Sequence, residues 1–118
     1  NAGLFVSIHN NANTDRSKNG TETYYYAPTD DPNLFMQKDD RERLAKCIQT
    51  QMINRLGRAD RGVKQSNFAV LRNTEMPSAL AEICFISNPD EQDLLMQTQY
   101  KDQAAQAIAG GILQYMGK

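Results

Sequence analysis

A chain of 118 residues is long enough for one domain with a hydrophobic core of its own. The formal net charge of −1 leaves no basic footprint for nucleic acid, and no apolar run approaches the length of a membrane span. Cys47 and Cys84 lack the paired spacing of a zinc or redox motif, so they read as two free, buried thiols rather than a disulfide.

The first apolar run, Leu4 to Ile8, predicts a buried strand. It delivers His9, the one histidine of the chain, followed by Asn10, Asn11 and Asn13. Open α/β sheets gather ligands at the carboxyl ends of their strands, so an imidazole placed there is a candidate site group. The plainer alternative is a histidine that bonds a loop carbonyl.

Asn10 to Asn19 reads as an exposed loop. Gly20 to Tyr26, rich in threonine and tyrosine, predicts a second strand. Pro28 and Pro32 close the following stretch to regular structure. A helix is predicted from Asp39 to Leu56, where Leu44, Ile48, Met52 and Leu56 recur at four-residue intervals. Arg41, Glu42, Lys46, Gln49 and Asn54 fall outside that apolar stripe, and Gly57 is a plausible stop.

Gly62 to Lys64 reads as a short extended piece, Phe68 to Arg72 as a third strand, and Ser78 to Phe85 as a fourth. The fourth is apolar except for Glu82. An ionised carboxylate buried without a partner is expensive, and a metal-bound His9 nearby would supply the missing cation. Asn88-Pro89-Asp90-Glu91 carries a capping asparagine, a proline for the first helical position and two acids for the positive dipole end. A short helix to about Met96 follows, then a last helix from about Tyr100 to Met116. Gly110-Gly111 within it suggests close packing on a sheet. Ile48, Met52, Ile108 and Ile112 are the expected centre of the core. The alternation of strands and helices favours an α/β fold, a mostly parallel sheet flanked by helices.

Six pieces occur in order: Ser7-Ile-His9-Asn-Asn11-Ala12, Gly20-Thr-Glu22-Thr-Tyr24, Arg61-Gly-Val-Lys64, Val70-Leu-Arg72, Met76-Pro77 and Glu82-Ile-Cys-Phe-Ile-Ser-Asn-Pro89. Together they resemble the zinc-dependent N-acetylmuramoyl-L-alanine amidases of bacterial cell-wall lysis, sporulation and phage lysis. The resemblance covers almost the whole chain and implies an amidase-type hydrolase fold. It implies residues 1–118 as the C-terminal part of a single catalytic domain, peptidoglycan as substrate and an extracytoplasmic location. It implies zinc held by two histidines and a glutamate, of which His9 matches only the last ligand. The other His and Glu come from stretches that these 118 residues do not contain. Glu82 matches the acid–base residue. Cys84 stands where the family pattern has glycine, and regular pleating would turn it towards the site side.

Three further residues are candidates for the substrate groove. Asn11 lies two positions past His9 on the same strand face and is a candidate to orient a ligand or bond substrate; a turn asparagine is the alternative. Glu22 alternates with Tyr24 on one strand face, which lines either the groove or solvent. Arg61 could grip a peptide carboxylate bidentately, or be a surface arginine. For Glu82 the alternative is a structural pair with Arg72 or Arg61. Two readings other than an active amidase stay open: a metal-free wall-binding remnant and a structural fragment.

Overall fold

A computed structural model describes residues 3–118. Four strands form one sheet: β1 (Phe5–Asn11), β2 (Thr21–Tyr25), β3 (Asp60–Gln65) and β4 (Ser78–Phe85), in the order β1-β4-β2-β3. The β1–β4 and β2–β3 pairings are parallel, and the central β2–β4 pairing is antiparallel. Five helices complete the chain: α1 (Pro32–Phe35), α2 (Lys38–Leu56), α3 (Ala69–Arg72), α4 (Pro89–Leu95) and α5 (Thr98–Tyr115).

The helix α2 packs its apolar stripe on β2, β4 and β3, and α5 packs on α2. Leu44, Ile48 and Met52 are wholly buried and Ile108 is buried, so the α2 stripe read from the sequence is the core; Ile112, expected at its centre, is only half-buried and packs at the margin. Gly57 ends α2 in the left-handed conformation (φ 67°), with its N–H donated to Ile53 O. Asn88 caps α4 as expected, its side chain accepting from Glu91 N–H at 3.1 Å.

Two polar residues placed outside the stripe are in fact inside the protein. Arg41 is fully buried and donates to Leu71 O, Thr74 O, Met76 O and Ser78 Oγ. A buried guanidinium is tolerable because its fork of five donors meets carbonyls prepared for it. Gln49 bridges the sheet and α2: it accepts from Thr23 Oγ1 and donates to Thr21 O and Asp60 Oδ1. Periodicity sorts residues by polarity, and it has no means of recognising a polar side chain whose partners come from distant loops.

The segment Phe68 to Arg72 is not a strand. Phe68 is extended and caps the single-turn helix α3, its carbonyl accepting from Leu71 and Arg72 N–H. Phe68 packs edge-on against Tyr24 with ring centroids 5.2 Å apart, while Leu71 is wholly buried. That i, i+3 burial is helical, and an apolar run of four residues, Phe68 to Leu71, is too short for periodicity to separate the two states. The extended piece at Gly62 to Lys64 is instead the sheet's third strand, β3.

The first strand also differs from expectation. It lies at the sheet edge, and Phe5 (39%) and Ile8 (55%) are exposed. Gly110 and Gly111 face a helix, not the sheet. A Cβ on Gly111 would stand 2.6 Å from Ile48 Cα and 2.9 Å from Ile48 N, while one on Gly110 would meet only the Gln51 side chain at 3.4 Å. The prediction is asymmetric. Gly111→Ala must push the α2 and α5 backbones apart and costs about 1–3 kcal/mol. Gly110→Ala is neutral or gains up to about 1 kcal/mol from helix propensity. Chemical denaturation of the two variants decides it, and equal losses would contradict the packing.

Candidate functional site

The long helices α2 and α5 lie on one face of the sheet. His9, Glu82 and Glu22 lie on the other, in one row across three neighbouring strands. His9 and Glu82 are register partners in the parallel β1–β4 pair, and Glu82 and Glu22 are partners in the antiparallel β2–β4 pair. Residues opposite one another point the same way, and each strand step is about 4.8 Å. His9 stands two residues before the end of β1 and Glu82 three before the end of β4. The structure thus brings these two together near the strand ends, with His9 exposed and Glu82 7% exposed.

The two carboxylates of the row have opposite environments. Glu22 is 2% exposed and fully committed. Oε1 accepts from Asn11 Nδ2 (2.8 Å) and Tyr24 Oη (2.6 Å), and Oε2 accepts from Arg61 Nε (3.0 Å) and Lys64 Nζ (2.8 Å). Burial alone would raise its pKa, but the bonds from Lys64, Tyr24 and Arg61 outweigh burial and hold it below the ordinary carboxylate value. Burial, and then the phenol's bond to Glu22, drives the Tyr24 pKa well up, so Tyr24 stays a donor.

Glu82 has no such partners. Its Oε2 is buried without a hydrogen-bond partner. Burial, followed by repulsion from Glu22, raises its pKa from 4.5 to about 7. The ion pairs that would have made Glu82 structural do not form: Arg61 is held by Glu22, and Arg72 donates to Asn67 Oδ1 at 2.6 Å. A carboxyl group that is half-ionised near neutrality can both take and return a proton.

Two bulges shape this face. On β4 the register advances three residues from Glu82 to Phe85 while β1 advances two, from His9 to Asn11. The extra residue returns Phe85 to the site face and sends Cys84 into the core with Ala104, Ala107 and Ile108. Cys84 therefore does not crowd the site; burial pushes its thiol up to about 12. On β3 the register advances from Asp60 to Val63 while β2 advances from Thr21 to Thr23. Gly62, at φ 81°, takes up that extra residue. Arg61 and Lys64, three apart, consequently share the site face, and the Arg61 guanidinium lies 4.9 Å from the centroid of the Phe85 ring.

Of the sequence candidates, the structure brings His9, Glu82, Asn11, Glu22 and Arg61 onto one surface. Tyr24, Lys64 and Phe85 join them without having been singled out. The alternation of Glu22 with Tyr24 signalled the first; the bulges that deliver the other two leave no periodic trace. The fold itself is pinned behind the row by Glu91, which is wholly buried. Its carboxylate accepts from Gly20 N–H, Phe85 N–H (2.7 Å) and Arg58 Nε (2.7 Å), tying the start of β2 to the end of β4.

A catalytic zinc ordinarily takes three protein ligands and a water. Among the described residues no three His, Cys, Asp or Glu side chains converge to hold a metal. His9 can offer one nitrogen, and the Glu82 carboxyl, its register partner on β4, stands beside it. The described residues alone do not complete a zinc site.

The chain is 45% identical over 114 residues to the N-acetylmuramoyl-L-alanine amidase LytC of Bacillus subtilis, covering 97% of this chain and 22% of that protein. It is 33% identical to the germination-specific N-acetylmuramoyl-L-alanine amidase of the same organism, covering 97% of this chain and 45% of the relative. The crystal structure of N-acetylmuramoyl-L-alanine amidase from Clostridium difficile 630 superposes with a TM-score of 0.88 at 32% identity, over 99% of this chain and 59% of that one. The chain thus spans less than two thirds of the length of each of these relatives. A family model described as N-acetylmuramoyl-L-alanine amidase matches residues 1–114, and the chain belongs to that family.

Proposed function

We propose that this chain carries the acid–base centre of a peptidoglycan amidase, one that hydrolyses the amide between N-acetylmuramic acid and L-alanine. The observation that supports it is Glu82: a buried carboxylate with an unpartnered oxygen and a pKa of about 7, side by side with the one histidine. Zinc is the proposed cofactor, with His9 as the ligand this chain contributes; when bound, such an ion supplies Lewis acidity. Location outside the cytoplasm follows from the proposed substrate, and no described helix is long and apolar enough to cross a membrane.

Each step assigned here belongs to the protein's own groups. Glu82 accepts a proton from water as the water oxygen bonds to the acyl carbon. The carbon–nitrogen bond then breaks, and Glu82 returns that proton to the departing amine of L-alanine. Asn11, fixed by its bond to Glu22, borders the same row and offers its side chain to substrate. Arg61 presents a guanidinium braced by Glu22 and Phe85. Glu22 serves the groove through the donors it holds in place.

A second reading is a wall-binding remnant without metal. It differs in outcome, because it binds peptidoglycan and releases nothing.

Two measurements test the proposal. In a preparation with a full zinc site, Glu82→Ala lowers muropeptide release about 10²–10⁴-fold with zinc content unchanged. His9→Ala loses zinc first, and activity falls with it. Loss of zinc in Glu82→Ala would make Glu82 a ligand; full activity would make it structural.

The second measurement concerns stability. The folded pKa of Glu82 lies above its ordinary 4.5, so its contribution is full below about pH 4.5 and is lost as pH rises through 7. Glu82→Gln has no such loss. Between pH 5 and 8 the variant should gain about 1–3 kcal/mol on the wild type, read by urea denaturation at both pH values. An unchanged difference would mean that Glu82 titrates normally.

A further inference from the structure

The row does not end at Glu22. On the next strand two cations, Arg61 and Lys64, meet the same oxygen of that one carboxylate. At this end of the row one carboxylate faces two cations, with Glu82, the other acid of the row, one strand further away on β4. The Lys64 side chain is 44% exposed and that of Arg61 30%, while the Glu22 side chain between them is 3% exposed. Solvent and ligands therefore meet the ammonium and guanidinium rather than the carboxylate beneath. The pair is also built in place: Gly62 absorbs the bulge that turns both side chains to this face, and Phe85 and Glu22 fix the guanidinium. Asp60, the nearest acid on β3, is turned to the helix side and accepts from Gln49.

We propose that Arg61 and Lys64 form a subsite for a carboxylate of the peptide on the amine side of the cleaved bond. The inference rests on the amidase reading for its direction. In that reading Glu82 protonates the leaving amine, and His9 lies on the far side of Glu82. The peptide attached to the amine then runs away from β1, over β2 and towards β3. Two strand steps from Glu82 to β3 amount to about 10 Å. An extended peptide advances about 3.3 Å per residue, so the cations meet an anionic group carried roughly two to three residues beyond the scissile amide. Glu22 holds the cations at this spacing without neutralising both, and the site selects acidic over amidated stem peptides.

The test is a binding measurement on this chain and needs no turnover. One probe is a tripeptide that begins with L-alanine and has an acidic second residue and all carboxylates free; the other is the same peptide with every carboxyl amidated. By calorimetry the acidic tripeptide should bind at least about 10-fold more tightly. Arg61→Gln and Lys64→Gln should each remove most of that difference, weakening the acidic peptide far more than the amidated one. Thermal melts check folding, and the half-exposed Lys64 gives a variant that keeps the fold should Arg61→Gln lose it. Equal affinity of the two probes for the wild type, or equal weakening of both probes by the variants, overturns the subsite. Acid-selective binding in a protein that releases no muropeptides keeps the subsite and removes the amidase reading. Release with no preference between free and amidated peptides does the reverse.

Discussion

Two glutamates face each other across neighbouring strands, and most of the site follows from how the fold tolerates them. Like charges directly opposite in a sheet repel, and both of these side chains are buried. The fold answers the problem on one side only. Glu22 receives four donors from β1, β2 and β3, and it stays ionised. Glu82 receives none in compensation and is left to share its proton with the solvent near neutral pH. Pushing the proton affinities of paired carboxyl groups apart is how one environment makes an acid–base group and the other a fixed charge.

The fixed charge has structural reach. Through Asn11, Glu22 holds the end of the edge strand that carries His9; through Arg61 and Lys64 it holds β3. Glu91 does similar work behind the sheet, clamping Phe85 and Gly20 at the ends of the two strands that bear the carboxylates. Arg41 anchors α3 and the loop that leads into β4 by donating to the Leu71 carbonyl and to two loop carbonyls, those of Thr74 and Met76. Each is a buried charge whose partners come from elsewhere in the chain. That is why the positions of Glu82 and His9 are set by several elements rather than by their own strands alone.

Much of this was legible in the residues. The limits of β4, the core of α2 and the Asn88 cap follow from periodicity and capping chemistry, which are local. His9 and Glu82 stood out because each is a polar group in an apolar strand. The two bulges were not legible, since one extra residue in a strand reverses every later side chain without altering composition. They explain why Cys84 points inward and why Lys64 and Phe85 belong to the site face. Phe68 to Arg72 escaped for the opposite reason: its sequence is strand-like, and packing against Tyr24 turns it into a helical turn. The exposure of β1 was hidden as well, because hydrophobicity reports a preference for burial and does not say which neighbour provides it.

The division of labour between the two glutamates is the centre of this account. It is measured most directly by carboxyl carbon NMR titration of the glutamate-labelled chain, with Glu22→Gln and Glu82→Gln used to assign the signals. The account predicts one buried carboxyl titrating near pH 7, missing in Glu82→Gln, and one titrating below the ordinary glutamate value, missing in Glu22→Gln. A normal titration of Glu82, or the reverse assignment with Glu22 as the high one, would contradict it.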